Sequence, residues 1–486
     1  MYIRNEDTIC APATVPGTGA ISVIRVSGQE ALSIADKVIS CRKGNISGAP
    51  GYTIKFGNIY DASGALLDEV LVSVFRAPHS YTGENSVEIS CHASSYIVSS
   101  VMDLLYAAGA RAAEPGEFTQ RAFINGKMDL AQAEAVADVI ASQNAAAHRI
   151  AFKQMKGGFS TELREMRSEL LELVSLMELE LDFSEEEVEF ADRTKLNTLL
   201  TALLEHISRL IDSFKLGNAI KNGVPVAIAG ATNTGKSTLL NALLGEERAI
   251  VSDVHGTTRD TVEETLNING VLFRFIDTAG LRETDEVVEK IGIERTFKKI
   301  NEASIVLGMI DLTRDFDSTK ETITEIIEKV DFSSQKLVIL LNKTDISEVN
   351  KNVIIKNFIV SSIDNKGLTA AIIENNEKTE IEVPIIQISA KTGSGIPILR
   401  SILGSSQRDL LADSDTTLVT NQRHVQALSD ARTSLLRVRD GLALNLPTDL
   451  ASQDIREAIY HLGSIVGEIS ADEVLGNIFK NFCIGK

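Results

Sequence analysis

Apolar positions recur along this chain in two rhythms, and the rhythm changes three times. Up to about residue 120, short apolar runs (IRVSG at 24–28, LVSVF at 71–75, VEIS at 87–90) alternate with turn-rich stretches such as PGTG at 16–19 and APHSYTGEN at 77–85. These read as strands and loops of an α+β domain. From Asp129 to about Phe214 the apolar spacing becomes three and four. Leu163, Met166, Leu170, Leu173, Met177 and Leu181 form one series; Leu196, Leu199, Leu203, Ile207, Leu210 and Phe214 form another. Both predict long amphipathic helices. The acidic stretch FSEEEVEF at 183–190 should separate them as a solvated face.

From Val224 to about residue 400 the runs VAIAGA, LFRFIDTAG, IVLGMIDL, KLVILLNK and IIQIS are mostly followed by helical stretches. That order predicts an α/β domain with a largely parallel sheet. After about residue 405 the helical rhythm returns, with Ile459, Leu462, Val466 and Ile469 on one face and Ser470-Ala-Asp-Glu473 as a capping box for a last helix. The reading is a multidomain α/β and α chain, in which one helical domain is split by the insertion of the α/β domain.

Composition narrows this. A chain of 486 residues is too long for one core, since domains hold ~100–200 residues. No apolar run approaches the ~20 residues that span a bilayer, and MYIRNEDTIC has no apolar segment of a signal peptide, so no membrane role and a cytoplasmic location are expected. Cys10, Cys41, Cys91 and Cys483 lie far apart, which argues against zinc or a disulfide framework. The net charge is 48 − 67 = −19. Such a surface repels phosphate backbones, so any grip on nucleic acid needs a local patch or a basic partner.

The candidate chemistry lies in the α/β segment. Gly230-Ala-Thr-Asn-Thr-Gly235-Lys236-Ser237 fits GxxxxGK[ST] between an expected strand and an expected helix. Its amides can wrap phosphates, Lys236 can reach the β- and γ-phosphates, and Ser237 can ligate Mg²⁺. Asn233, Thr234 and Thr238 complete this loop. Ser252, Asp253, Val254, His255, Gly256, Thr257 and Thr258 follow as a switch loop, with Thr258 a second Mg²⁺ candidate. Next come Asp277, Thr278, Ala279 and Gly280, suited to metal and γ-phosphate contacts. Asn342, Lys343, Thr344 and Asp345 offer a carboxylate that accepts from guanine N1 and the 2-amino group; Ser389, Ala390 and Lys391 can contact O6. Each motif alone is weak, but five in order select GTP over ATP.

Hydrolysis also needs a group that orients water. Ras-type GTPases place a glutamine directly after DTAG, whereas this chain has Leu281, with Glu283, Glu286 and Glu289 nearby. An arginine finger contributes ~10³–10⁵-fold in related enzymes, and the sequence identifies none. A bound monovalent cation could do the same electrostatic work.

Several segments resemble one family, the tRNA-modification GTPases MnmE (TrmE). They are the terminal Phe482-Cys483-Ile484-Gly485-Lys486, PGEFTQRAFINGKMDLAQAEAVADVI at 115–140, DTICAPATVPGTGAISVIRVSG at 7–28, and GTTRD, DTAGLRE and IGIER. The resemblance implies four segments: an N-terminal α+β tetrahydrofolate-binding-like, dimerising domain at 1–121; the leading half of a split helical domain at 122–222; an inserted Ras-like P-loop G domain at 223–405; and the trailing half of the helical domain at 406–486. It implies a homodimer that uses 5-formyl- or methylene-tetrahydrofolate, with Arg25, Glu88, Lys127 and Lys486 as folate contacts. From the residues alone, each of these would read as a surface ion pair.

The resemblance also implies K⁺ held by Asn233, Ser252, Val254 and Thr257 as G domains pair, with Glu289 as the catalytic glutamate. Cys483 reads equally as a nucleophile towards a one-carbon donor or as a small residue closing the folate pocket. The implied partner is the FAD-carrying flavoprotein MnmG (GidA), in a heterotetramer that adds carboxymethylaminomethyl or aminomethyl groups at C5 of the wobble uridine of certain tRNAs.

This chain departs from the family's pattern at Thr232 and Thr234, where members often carry proline and alanine. Its His255 reads as loop chemistry, and SSIDNKGLTAAIIENNEKTEIE at 361–382 reads as a surface insertion. Three rival readings compete. A ribosome-assembly GTPase of the Era or Der kind would need a KH domain or a second G domain. A dynamin-like membrane GTPase would need a basic or apolar membrane loop. A folate-binding regulator would use GTP hydrolysis only as a timer.

Overall fold

The structure, a computed structural model, describes residues 7–182, 193–245, 264–276, 302–347, 349–364, 370–372, 383–405, 417–444, 448–468 and 485. The acidic stretch at 183–190, the switch residues 252–258 and 277–289, the capping box at 470–473, Cys483 and Lys486 lie outside them. The chain divides into two compact units: Met1–Ala141 with Ala151–Ile211 and Arg423–Lys486, and Ser142–Ile150 with Asp212–Gln422.

The first unit opens on seven strands: β1 (Ile9–Pro12), β2 (Ile21–Ser27), β3 (Ile39–Cys41), β4 (Thr53–Tyr60), β5 (Leu66–Phe75), β6 (Ser86–His92) and β7 (Arg111–Ala112). They form one sheet in the order β3-β4-β5-β6-β2-β1-β7. Strict alternation sets its faces. Val70, Val72 and Val74 of β5, Val87 and Ile89 of β6, and Ile24 and Val26 of β2 point inward. The helices Ala31–Val38 and Ser95–Ala108 bring Ile34, Val101 and Leu105 into the same core. The opposite face carries Arg25 and Glu88 at directly paired positions of β2 and β6.

The helical segments are Leu130–Ala141, Ala145–Met155, Gly158–Asp182, Arg193–Asn222, Gln422–Ala443 and Thr448–Val466. The three-and-four apolar series land inward: Leu163, Met166, Leu170 and Met177 are buried, as are Leu203, Ile207 and Leu210. Within the first unit, Glu134 is bound by Arg423 Nε at 3.0 Å and His424 Nε2 at 2.6 Å.

The second unit holds a seven-stranded sheet of β8 (Val224–Ala229), β9 (Glu264–Ile268), β10 (Val271–Ile276), β11 (Ile305–Asp311), β12 (Lys336–Asn342), β13 (Ala370–Ile372) and β14 (Val383–Gln387). Its order is β13-β14-β12-β11-β8-β10-β9, and only β9 runs antiparallel to its neighbour. Both faces are covered, so β11 is buried at every position, as a parallel strand between helices should be. One core packs Leu239, Leu243, Leu399 and Leu403 on one face; the other packs Ile323, Ile326, Ile355, Ile359 and Ile363.

The expectation of a surface insertion at 361–382 is partly corrected. Residues 361–364 end the helix Val349–Asp364, where Ile363 is fully buried, and 370–372 form strand β13 beside β14. Isoleucines at four-residue spacing outweigh the Asn and Lys between them.

Candidate functional site

Strand order reverses around β8: β10 lies on one side and β11 on the other. Crevices at the carboxyl ends of strands beside such a reversal are where α/β sheets bind ligands. The loop 230–235 leaves β8 there and feeds the helix Lys236–Leu244. Two glycines make the turn possible. Gly230 has φ +156, and a Cβ on it would stand 2.4 Å from the Met309 carbonyl oxygen. Gly235 has φ +99, and a Cβ there would stand 2.5 Å from Asn342 Nδ2. Asn233 itself is left-handed, at φ +61.

The Lys236 ammonium donates to the Gly230 and Ala231 carbonyls, both at 2.8 Å, which points it into the concavity of its own loop. Burial lowers its pKa, and the nearby Arg314 charge adds to that. Thr234 is buried and donates to the Ala231 carbonyl at 2.9 Å. Ser237 opens the helix one residue on, and Thr238 is exposed. The glycines let the loop turn tightly against Met309 and Asn342, and the amides of a helix N-terminus suit the charge of a phosphate. The donor set therefore fits a nucleotide polyphosphate, with Ser237 the hydroxyl whose chemistry suits a hard cation.

Asn342 ties three motifs together. Its Nδ2 donates to the Thr234 carbonyl at 2.7 Å, and its Oδ1 accepts from the Ala390 amide at 3.0 Å. Thr344 Oγ1 donates to the Ile388 carbonyl at 3.0 Å. The buried Ser389 and Ala390 are thereby held against the loop that presents the exposed Asp345, with Lys391 exposed beside them. Lys343 has φ +66 and pairs with Asp311 Oδ2 at 2.7 Å. Burial would raise the Asp311 pKa, but hydrogen bonds from Lys343 and Thr313 hold it below the ordinary carboxylate range.

Asp311 and Arg314 belong to none of the nucleotide motifs. The signal available in the sequence was position: DLTRD follows the carboxyl end of a buried strand.

In the first unit, Arg25 donates to Glu88 Oε1 from Nε at 3.1 Å and Nη2 at 2.9 Å. Its guanidinium carbon lies 5.0 Å from the Tyr81 ring centroid and 5.6 Å from that of Phe118. Its third nitrogen, Nη1, is buried and has no partner among the described residues. An unsatisfied buried donor between two aromatic rings fits a flat, acceptor-bearing ligand. Lys127 is exposed and donates to the Pro78 carbonyl at 2.9 Å, on the loop that also carries Tyr81. Within the signature 115–140, Arg121 is fully buried and donates to Asp7 O, Glu84 and Glu117. The sequence alone assigned it no role. Burial pushes the Cys10 thiol up to about 12 and, with the nearby Asp68 charge, Cys91 up to about 11, so neither is a ready nucleophile.

Of the expected site residues, those at 233–238, 342–345 and 389–391 converge at the carboxyl ends of β8, β12 and β14, and Arg25 and Glu88 meet in the first unit's sheet. Ser252, Asp253, Val254, His255, Gly256, Thr257, Thr258, Asp277, Thr278, Ala279, Gly280, Glu289, Cys483 and Lys486 lie outside the described residues.

Comparison with known proteins matches residues 130–483 to the MnmE helical domain and residues 8–127 to the GTP-binding protein TrmE N-terminus. The tRNA modification GTPase MnmE of Bacteroides thetaiotaomicron is 51% identical over 484 residues, 99% of this chain and 100% of that protein. Its namesake in Flavobacterium johnsoniae is 50% identical over 484 residues, with the same coverage. Among solved structures, Era of Aquifex aeolicus bound to GDP·AlF4⁻ is 27% identical and covers 44% of this chain and 66% of its own, at a TM-score of 0.25.

Proposed function

The chain belongs to the MnmE family of tRNA modification GTPases, and from that premise we propose that its GTP hydrolysis serves modification of the wobble uridine of certain tRNAs. In this reading the chain is a cytoplasmic homodimer. It works with the flavoprotein MnmG, which carries FAD, and adds carboxymethylaminomethyl or aminomethyl groups at C5 from a tetrahydrofolate one-carbon donor. The observation that carries the GTP half is Asn342, whose side chain joins the phosphate loop, the base-recognition loop and the Ser389–Lys391 loop in one hydrogen-bonded unit. That arrangement lets Asp345 read guanine while Lys236 faces the phosphates, and Ser237 with Thr258 would hold Mg²⁺.

Leu281 can neither donate nor accept a hydrogen bond, so the attacking water needs another partner, and Glu289 is the residue proposed. K⁺ at Asn233, Ser252, Val254 and Thr257 would supply the positive charge that an arginine finger supplies elsewhere. Asn233 suits this role because its left-handed backbone sets it at the exposed tip of the phosphate loop. The folate half rests on Arg25, Glu88, Lys127 and Lys486, with the unpartnered Nη1 of Arg25 as its support. The domain limits 1–121, 122–222, 223–405 and 406–486 belong to the same proposal.

The deciding experiment is nucleoside analysis of tRNA from a deletion strain with and without this gene. Loss of the modified wobble uridine, restored by the gene, is expected; an unchanged nucleoside profile sinks the proposal. Turnover measured in KCl against NaCl tests the cation separately, and equal rates would remove K⁺ from it.

A further inference from the structure

Arg314 belongs to none of the five nucleotide motifs, yet it stands beside the phosphate loop. It lies in the turn after β11, at the carboxyl end of the strand next to β8. Its Nη2 donates to the carbonyl of Thr232, and its Nε is 3.9 Å from Asp311 Oδ2. Asp311 is almost fully enclosed and holds Lys343 at 2.7 Å and the Thr313 hydroxyl at 2.7 Å. A continuous path of polar contacts therefore runs from the tip of the phosphate loop, through Arg314 and Asp311, to the lysine of the base-recognition loop.

The tip needs such an anchor. Asn233 sits at φ +61, in the left-handed region, which asparagine enters more readily than most residues with a Cβ but which its surroundings still have to hold. Thr232 and Asn233 are both exposed, and Thr232 has no ring to fix its own φ. Three other carbonyls of the loop are held from within the nucleotide motifs. Lys236 takes those of Gly230 and Ala231, and Asn342 takes that of Thr234. The Thr232 carbonyl, which belongs to the peptide leading into Asn233, is held from outside them.

We propose that Arg314 is a positioning residue for the nucleotide, pinning the Thr232–Asn233 peptide so that the loop's amides stay aimed at the phosphates. It acts through the loop and does not touch the nucleotide. Its charge also lies near Lys236, whose pKa burial lowers and the Arg314 charge lowers further. A guanidinium suits the task, because one plane can donate to the carbonyl from Nη2 while Nε faces Asp311.

The test compares Arg314→Ala, Arg314→Lys and Arg314→Gln in the full chain. The readings are the Kd of N-methylanthraniloyl-GDP and of its GTP-analogue counterpart, KM and kcat, and the melting temperature. Arg314→Ala should weaken both nucleotides about tenfold, raise KM in step and lower kcat less, as expected for loss of one charge-assisted hydrogen bond that orders the loop. Arg314→Lys, which keeps a charged donor, should recover to within about threefold of the parent, and Arg314→Gln should fall between. A Kd for Arg314→Ala within about twofold of the parent overturns the proposal. So do losses across the three variants that follow the melting temperature instead of the donor retained.

Discussion

Asn342 shows at the scale of one side chain how the nucleotide site is closed. Its amide spends its donor on the Thr234 carbonyl and its acceptor on the Ala390 amide, all three residues being buried. Asn342→Ala would leave two buried polar groups unpaired, at about 1–3 kcal/mol each. The expected result is nucleotide binding weakened by at least about tenfold in a fluorescence titration, with each 1.4 kcal/mol counting as one decade. Asp345→Asn tests the neighbouring specificity. A carboxylate accepts from guanine N1–H and the 2-amino group, whereas an amide can instead donate to the 2-oxo group of xanthine. Competition assays should therefore show GTP affinity falling and XTP affinity rising; retained GTP preference would remove Asp345 from base recognition. Residues of this kind were legible in the sequence because their chemistry lies within short motifs. Asp311 and Arg314 were not, since nothing local says that the end of β11 comes to lie beside the loop after β8. Arg25 and Glu88 were reached only through a family resemblance, although the register that pairs them across β2 and β6 gives each a partner.

At the scale of elements, Glu134 fastens three helices of the first unit. It lies on Leu130–Ala141 and receives Arg423 and His424 from Gln422–Ala443. Arg423 also donates to the Ser464 and Ile465 carbonyls, which end Thr448–Val466 and would otherwise lack helical partners. Burial would raise the Glu134 pKa, but the charges and hydrogen bonds of His424 and Arg423 outweigh it and hold it at about 2. A carboxyl depressed below its unfolded value of about 4.3 stabilises the fold above that pH, and the contribution is lost as pH falls towards the folded value. The melting temperature of this unit should accordingly fall steeply between about pH 4.3 and 2, and the steepness should lessen in Glu134→Gln. Glu134→Ala, which leaves Arg423 and His424 uncompensated, should cost about 3–5 kcal/mol of stability in denaturant titration. The three- and four-residue apolar spacing foretold these helices but not this clasp, because Glu134 and His424 are 290 residues apart in sequence. The same limit explains residues 361–372, where polar composition masked a buried isoleucine and an edge strand.

At the scale of the whole molecule, the second unit closes its own core. Among the described residues, the buried members of the two clusters that cover its sheet all lie between Val224 and Leu403, with Ala219 of the preceding helix packed against one of them. The phosphate loop, Asn342, Asp345 and Ser389–Lys391 all lie within the same limits. The buried core beneath the nucleotide site is thus drawn from 223–405, so a fragment with those ends should bind N-methylanthraniloyl-GDP within about fivefold of the full chain, a difference of about 1 kcal/mol. Its melting transition should be cooperative, and GDP should raise it by linkage. Hydrolysis is a different matter if Asn233 and the switch loop share K⁺ only as two G domains meet. Binding of GDP by the fragment should then be the same in KCl and NaCl, while turnover should rise with both K⁺ and fragment concentration. A fragment that fails to bind GDP although it melts cooperatively would show that some of the nucleotide site comes from outside 223–405. First-order turnover, independent of concentration and of the cation, would show that one G domain completes its catalytic site alone.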